Sequence, residues 1–149
     1  MDKNQQLNLC ANAEVVVGLG SITIGLLLIL APGTALFDGY NATIAQAFWG
    51  EDSLSDSAMK MNHWLLATCG AGVMGWGMAW TAIAHIPFRK GEKWAWFCLM
   101  LSLLVWGLLD LAIALWFGVT GEVIFVLAAT TFGVLPLVYS TSIFWRHTS

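Results

Sequence analysis

Asp110 sits where an acid is hardest to place, inside the apolar run Leu108-Leu-Asp110-Leu-Ala-Ile113. A central Asp in a membrane-crossing segment costs about 2.5–3.5 kcal/mol on the insertion scale. It must therefore face the protein interior and find partners, or carry a proton. The segment ascends from Trp94 to Phe117, which puts Asp110 roughly 10 Å below its upper end. Thr23, Thr68 with Cys69, and Thr130 with Thr131 fall at a similar depth on the other apolar segments, with His63 and Glu122 above them. Two readings follow. In one, Asp110 is the floor of an outward-facing polar pocket for a small apolar molecule, with Thr68 and Thr130 on its walls and His63 and Glu122 at its rim. In the other, Asp110 makes an interhelical hydrogen bond, His63 is a headgroup-level residue, and Glu122 opens a helix whose dipole favours negative charge.

The remaining ionisable and soft residues assemble into nothing more specific. Glu14 and His85 fall at the inner ends of the first and second apolar segments, where headgroups or water are expected to reach them. His63 and His85 lie about 33 Å apart on one helix, too far to share a metal or a haem, and His147 is terminal. Cys10, Cys69 and Cys98 show neither disulfide nor metal-ligand spacing; within apolar runs, Cys69 and Cys98 read as small hydrophobes. No nucleophile–base–acid set, carboxylate pair or phosphate loop can be built from neighbouring residues. No catalytic residue or metal ligand is assigned, cofactor identity stays open, and the balance lies against an enzyme.

These residues must be held by helices in lipid. Of 149 residues, 58% are hydrophobic and 10% charged, against about 25% charged in a soluble domain. A net charge of −3 gives no basic stripe for nucleic acid. Four apolar stretches approach the roughly 17–25 residues a bilayer core demands: about 15–30, 64–86, 94–117 and 123–145. Each is apolar all round. The expected fold is all-α, one polytopic domain forming an antiparallel bundle of four transmembrane helices. The first stretch, with no small-residue cleavage pattern after it, is expected to be a retained helix. Lys3, Arg89, Lys90, Lys93 and Arg146 share one side and only Lys60 lies opposite, so both termini are expected in the cytoplasm. Trp64, Trp94, Trp96, Trp116 and Trp145 mark span ends; Trp76, Trp80 and Trp106 lie deeper and read as packing before cavity lining.

Gly118-Val-Thr-Gly121 is a tight hairpin that makes spans three and four antiparallel neighbours. The long outer loop, 32–62, contains Ile44, Ala47, Phe48 and Trp49, expected either as a short helix on the membrane surface or as a cap on the bundle. Asp56 or Ser57 suits the N-cap of the second span, and Asn41-Ala-Thr43 has the form of a glycosylation sequon. Close helix contact in lipid needs small residues. Span two supplies Ala67, Ala71, Gly75 and Ala79 every four residues, with Gly70, Gly72 and Gly77 making neighbouring faces nearly as smooth, to pack on Gly18, Ser21 and Gly25 of span one, on Ala129 and Gly133 of span four, or on a second copy of the chain.

A first span closed by Ala31-Pro-Gly33, a Gly-rich second span and the run Pro87-Phe-Arg-Lys-Gly-Glu-Lys-Trp-Ala-Trp96 opening the third resemble DoxX-like bacterial four-helix membrane proteins across most of the chain. The resemblance implies the fold and a bacterial inner membrane, and no catalytic motif. Ala13-Glu14-Val15 is similar to the first span of small multidrug transporters, but the long first loop and the position of Glu14 separate the two. The leading expectation is a non-catalytic accessory or structural subunit, partnered by the bilayer and by other membrane subunits or copies of itself. A proton-coupled exporter using Glu14 or Asp110 is a further reading.

Overall fold

The structure is a computed structural model in which residues 2–145 are described; Arg146 and His147 lie outside them. The described residues form five α-helices and no strand: α1 (Lys3–Leu30), α2 (Asp38–Trp49), α3 (Asp56–Ile83), α4 (Lys93–Phe117) and α5 (Thr120–Trp145). Three of them, α1, α4 and α5, are long and apolar enough to cross a membrane. α3 equals α1 at 28 residues, about 42 Å, but Asn62, His63 and four glycines dilute its apolar character.

α1 starts well before its uninterrupted apolar run. Asp2 and Gln5 form a capping box at its N-terminus, satisfying amides that a helix start leaves free. Asn4, Asn8 and Asn12 then fall on one exposed stripe while Leu7, Cys10, Ala11 and Glu14 fall on the buried one. This amphipathic extension carries the helix from Val15 back to Lys3. α3 also starts early, with Ser55, one residue before the expected cap, accepting from the Ala58 amide. At its far end the chain widens into a π turn over Ala84–Phe88 around Pro87, whose missing N–H forbids the regular ladder. Gly91, at φ 75°, then reverses the chain into α4.

Packing is dictated by glycine. α1 and α3 run antiparallel in contact along their length, the most extensive pairing in the molecule. A Cβ on Gly25 would stand 2.6 Å from the Gly70 carbonyl oxygen, and one on Gly70 equally close to that of Gly25. One on Gly77 would stand 2.8 Å from the Gly18 carbonyl, and one on Gly18 would be 2.9 Å from the Thr81 amide nitrogen. The two backbones therefore touch, as helices without a hydrophobic drive between them must if they are to hold by dispersion and Cα–H contacts. α4 and α5 mesh through side chains: Thr130 fills the notch at Gly107, and Leu103 that at Gly133. α1 also packs on α5, whereas α3 and α4 share only a narrow contact. Trp76 and Trp106 meet between those two, with ring centroids 6.1 Å apart. The core runs from Leu7 and Cys10 through Trp80, Ala84 and Phe88 to Leu99, Leu103, Leu137 and Phe144.

The small-residue face expected on α3 lies elsewhere from its seam. Ala71, Gly75 and Ala79 are exposed, Gly75 meets nothing within 4 Å, and Ala67 is half-buried. The seam uses Gly70 and Gly77 because their seven-residue spacing matches that of Gly18 and Gly25, a match the four-residue repeat lacks. Ser21, expected beside them, lies against Gly77.

Candidate functional site

Two acidic centres lie at different levels. The first is where α2 folds over the ends of α4 and α5. The Tyr40 hydroxyl donates to Glu122 Oε2 at 2.8 Å, and the Asp110 side chain lies near Glu122. Asn41 and Asn62 tie the same end together: Asn62 Nδ2 donates to Asn41 Oδ1 at 2.8 Å, and Asn41 Nδ2 donates to the Pro32 carbonyl at 3.3 Å. Thr43 sits against Gly121, where a Cβ would come within 2.8 Å of its hydroxyl. α2 is thus a cap on the helix ends, with Asn41 and Ala45 buried and Phe48 stacked near Phe117.

Of the residues expected around Asp110, Glu122 lies near it. Thr130 lies one turn further into the α4–α5 seam, its hydroxyl buried and without a partner. His63 packs against Gly33 with Nε2 buried and unbonded, holding the α1–α2 connection. Thr68 does not join: it is exposed and donates to the carbonyl of Trp64 in its own helix. Tyr40 was not among the expected residues, because a contact 82 positions away leaves no mark on local spacing.

Burial first, then the neighbouring Glu122 charge, pushes the Tyr40 phenol above its ordinary value. A raised phenol in the folded state stabilises the fold fully below the free tyrosine value of about 10, and this contribution is lost as pH rises through the raised one. With Tyr139 replaced by Phe, the phenolate absorbance of Tyr40 is expected to develop only above the free-tyrosine range; development within that range contradicts the contact. Tyr40→Phe is expected to cost about 1–2 kcal/mol, read as a lower Tm in detergent.

The second centre is Glu14, which corrects the sequence expectation. It has no exposed surface, whereas a residue at a helix end was expected to reach water. The cause is the early start of α1, which places Glu14 inside the helix on the stripe facing the core. Trp80, also enclosed, donates from Nε1 to Glu14 Oε2 at 3.1 Å, while Oε1 has no partner. Trp80 meets Trp76 in a tilted pair with centroids 4.7 Å apart, and Trp76 meets Trp106, so the three deep tryptophans form a continuous aromatic wall from Glu14 toward α4.

No family model, curated protein or solved structure matches this chain. Among the described residues no three His, Cys, Asp or Glu side chains gather as a metal ion would require. Cys10 is buried beside Glu14, and Cys69 and Cys98 are exposed on separate helices. An apolar groove of about 480 Å³ runs between α1 and α5, lined by Leu9, Cys10, Ala13, Leu135, Pro136 and Tyr139. Near its lower end Trp96 Nε1 donates to the Leu137 carbonyl at 2.9 Å, and Lys93 lies over the Trp145 ring. Arg89 donates to Asn12 on the exposed side of α1.

Proposed function

We propose that this chain is a four-span integral membrane protein acting as a non-catalytic subunit that docks another membrane helix on the outward face of α3. The observation that carries this reading is that face itself. Thr68, Ala71, Gly72, Gly75, Ala79 and Ala82 are all exposed on α3, with open space around Gly72 and Gly75. In lipid, such a smooth face allows another backbone to approach closely, and the fold satisfies its own packing with Gly70 and Gly77 instead.

The fourth span is supported by the α1–α3 seam: a helix in backbone contact with α1 from Gly25 down to Gly18 shares the slab that α1 crosses. Orientation is supported by charge. Lys3, Arg89, Lys90 and Lys93 gather at the π-turn end, where Gly91 lies 3.7 Å from Leu7 as measured to an added Cβ, and Asp38, Glu51, Asp52 and Asp56 belong to the α2 end. By the positive-inside rule the π-turn end is cytoplasmic. On this reading the protein keeps the DoxX-like architecture and belongs in a bacterial inner membrane. A ligand pocket around Asp110 has less support, since its neighbour Glu122 is already engaged by Tyr40.

Gly75→Leu adds bulk where nothing is in contact, so the isolated chain is expected to keep its stability within about 0.5 kcal/mol. Extracted from its native membrane in mild detergent, the wild-type chain is expected to migrate in a complex larger than a monomer, and Gly75→Leu to release it. A wild-type monomer, or a complex indifferent to Gly75→Leu, removes the proposal.

A further inference from the structure

Glu14 is built into the core yet only half engaged. One oxygen accepts from Trp80 and the other, equally buried, meets no donor. Its Cα lies about 16 Å along α1 from Lys3, within the apolar part of the molecule. An isolated carboxylate withdrawn from water costs several kcal/mol unless a donor or cation faces it.

The surrounding elements bring no cation. On α1 itself the titratable neighbour is Cys10, one turn before. α3 contributes Trp80 and then Thr81, whose hydroxyl is committed to the Gly77 carbonyl. The π turn contributes buried Ala84, Pro87 and Phe88, with His85 exposed. α4 supplies the apolar Leu99 and Leu103, and α5 supplies Ser140, whose hydroxyl donates to the Leu137 carbonyl. Arg89, a basic residue at this end of the fold, is bonded to Asn12 on the opposite, exposed stripe. Trp80 is the one hydrogen-bond partner of Glu14.

We propose that Glu14 is an intramembrane proton-binding site, taking up and releasing a proton at Oε1 while Trp80 holds Oε2 in place. A proton is the ligand that fits, since Oε1 is buried and meets no donor of the protein's own. The α1–α5 groove gives lipid-soluble molecules an approach, because Cys10 both lines it and adjoins Glu14. The inference is independent of the docking role of α3, whose outward residues lie on another face.

Infrared spectroscopy of the whole chain in lipid tests the site. The expected result is a protonated-carboxyl C=O band, present at neutral pH, lost reversibly as pH rises, and missing from Glu14→Gln. Trp80→Phe, which removes the N–H, is expected to move both the band frequency and the pH of its loss. A spectrum whose carboxyl bands are the same in wild type and Glu14→Gln overturns the proposal. A second readout needs no variant: dicyclohexylcarbodiimide, which attacks protonated carboxyls from the lipid phase, is expected to give a peptide-mapped adduct on Glu14 that falls at least about ten-fold from neutral to alkaline pH, one unit of which is about 1.4 kcal/mol in protonation. No adduct on Glu14 at any pH, or a yield that ignores pH, overturns it equally.

Discussion

Gly70→Leu and Gly77→Leu are each expected to separate α1 from α3 and to leave little folded protein. Their added carbons meet carbonyl oxygens of Gly25 and Gly18 at 2.6 and 2.8 Å, and a backbone cannot rotate aside as a flexible side chain can. Overpacking a tight core costs typically 1–3 kcal/mol; against backbone the expected cost is at the top of that range or beyond, on the order of a 10 °C fall in Tm for a chain of this size. Gly72→Leu and Gly75→Leu on the same helix are the matched controls, expected to leave the Tm within about 2 °C. Thermal unfolding of the four variants in one detergent, followed by Trp fluorescence, checks the contrast. Equal losses at all four positions would mean that the seam is elsewhere.

The second large effect is at Trp80. Removing an enclosed indole leaves a cavity, and Trp→Ala in a core typically costs about 3–5 kcal/mol. Here the same substitution also strips Glu14 of its donor, and an orphaned buried polar group adds about 1–3 kcal/mol. Trp80→Ala is therefore expected to be the most damaging single side-chain truncation among the deep tryptophans. Trp76→Ala, whose ring is only partly buried and bonds no carboxyl, is expected to cost clearly less. The polar part can be isolated by a double-mutant cycle in Tm: Trp80→Phe should be less harmful when Glu14 is already Leu than when Glu14 is present. Additive effects in that cycle would contradict the Trp80–Glu14 bond.

Asp110 stands out in the sequence because a charge inside an uninterrupted apolar run does so by itself, but depth along the helix sets Thr23, Thr68 and Thr130 at its level and Glu122 only above them. Tyr40 was not legible, since it lies in the long loop and its contact with Glu122 depends on how α2 folds back. Glu14 was misplaced for a different reason. An apolar run does not mark the helix start, because Asn4, Asn8 and Asn12 at four-residue spacing trace the exposed stripe of a longer helix, with Glu14 on the other side. For α3, several of its faces are smooth enough to pack, and a single helix's sequence does not rank them. Only the pairing of Gly70 and Gly77 with Gly18 and Gly25, both seven apart, selects the seam. The other small residues remain for the lipid or a partner.

In the proposed four-span arrangement α3 crosses the same bilayer as α1, α4 and α5, which sets the 50–55 connection and the 89–92 turn on opposite sides. Single cysteines at Asp52, Lys90 and Thr120, in a chain whose Cys10, Cys69 and Cys98 are replaced by Ser, test that arrangement with a membrane-impermeant maleimide on intact cells. Asp52→Cys and Thr120→Cys are predicted to be labelled at once, and Lys90→Cys only after the cells are opened. Labelling of Asp52→Cys and Lys90→Cys from the same side would contradict the four-span arrangement.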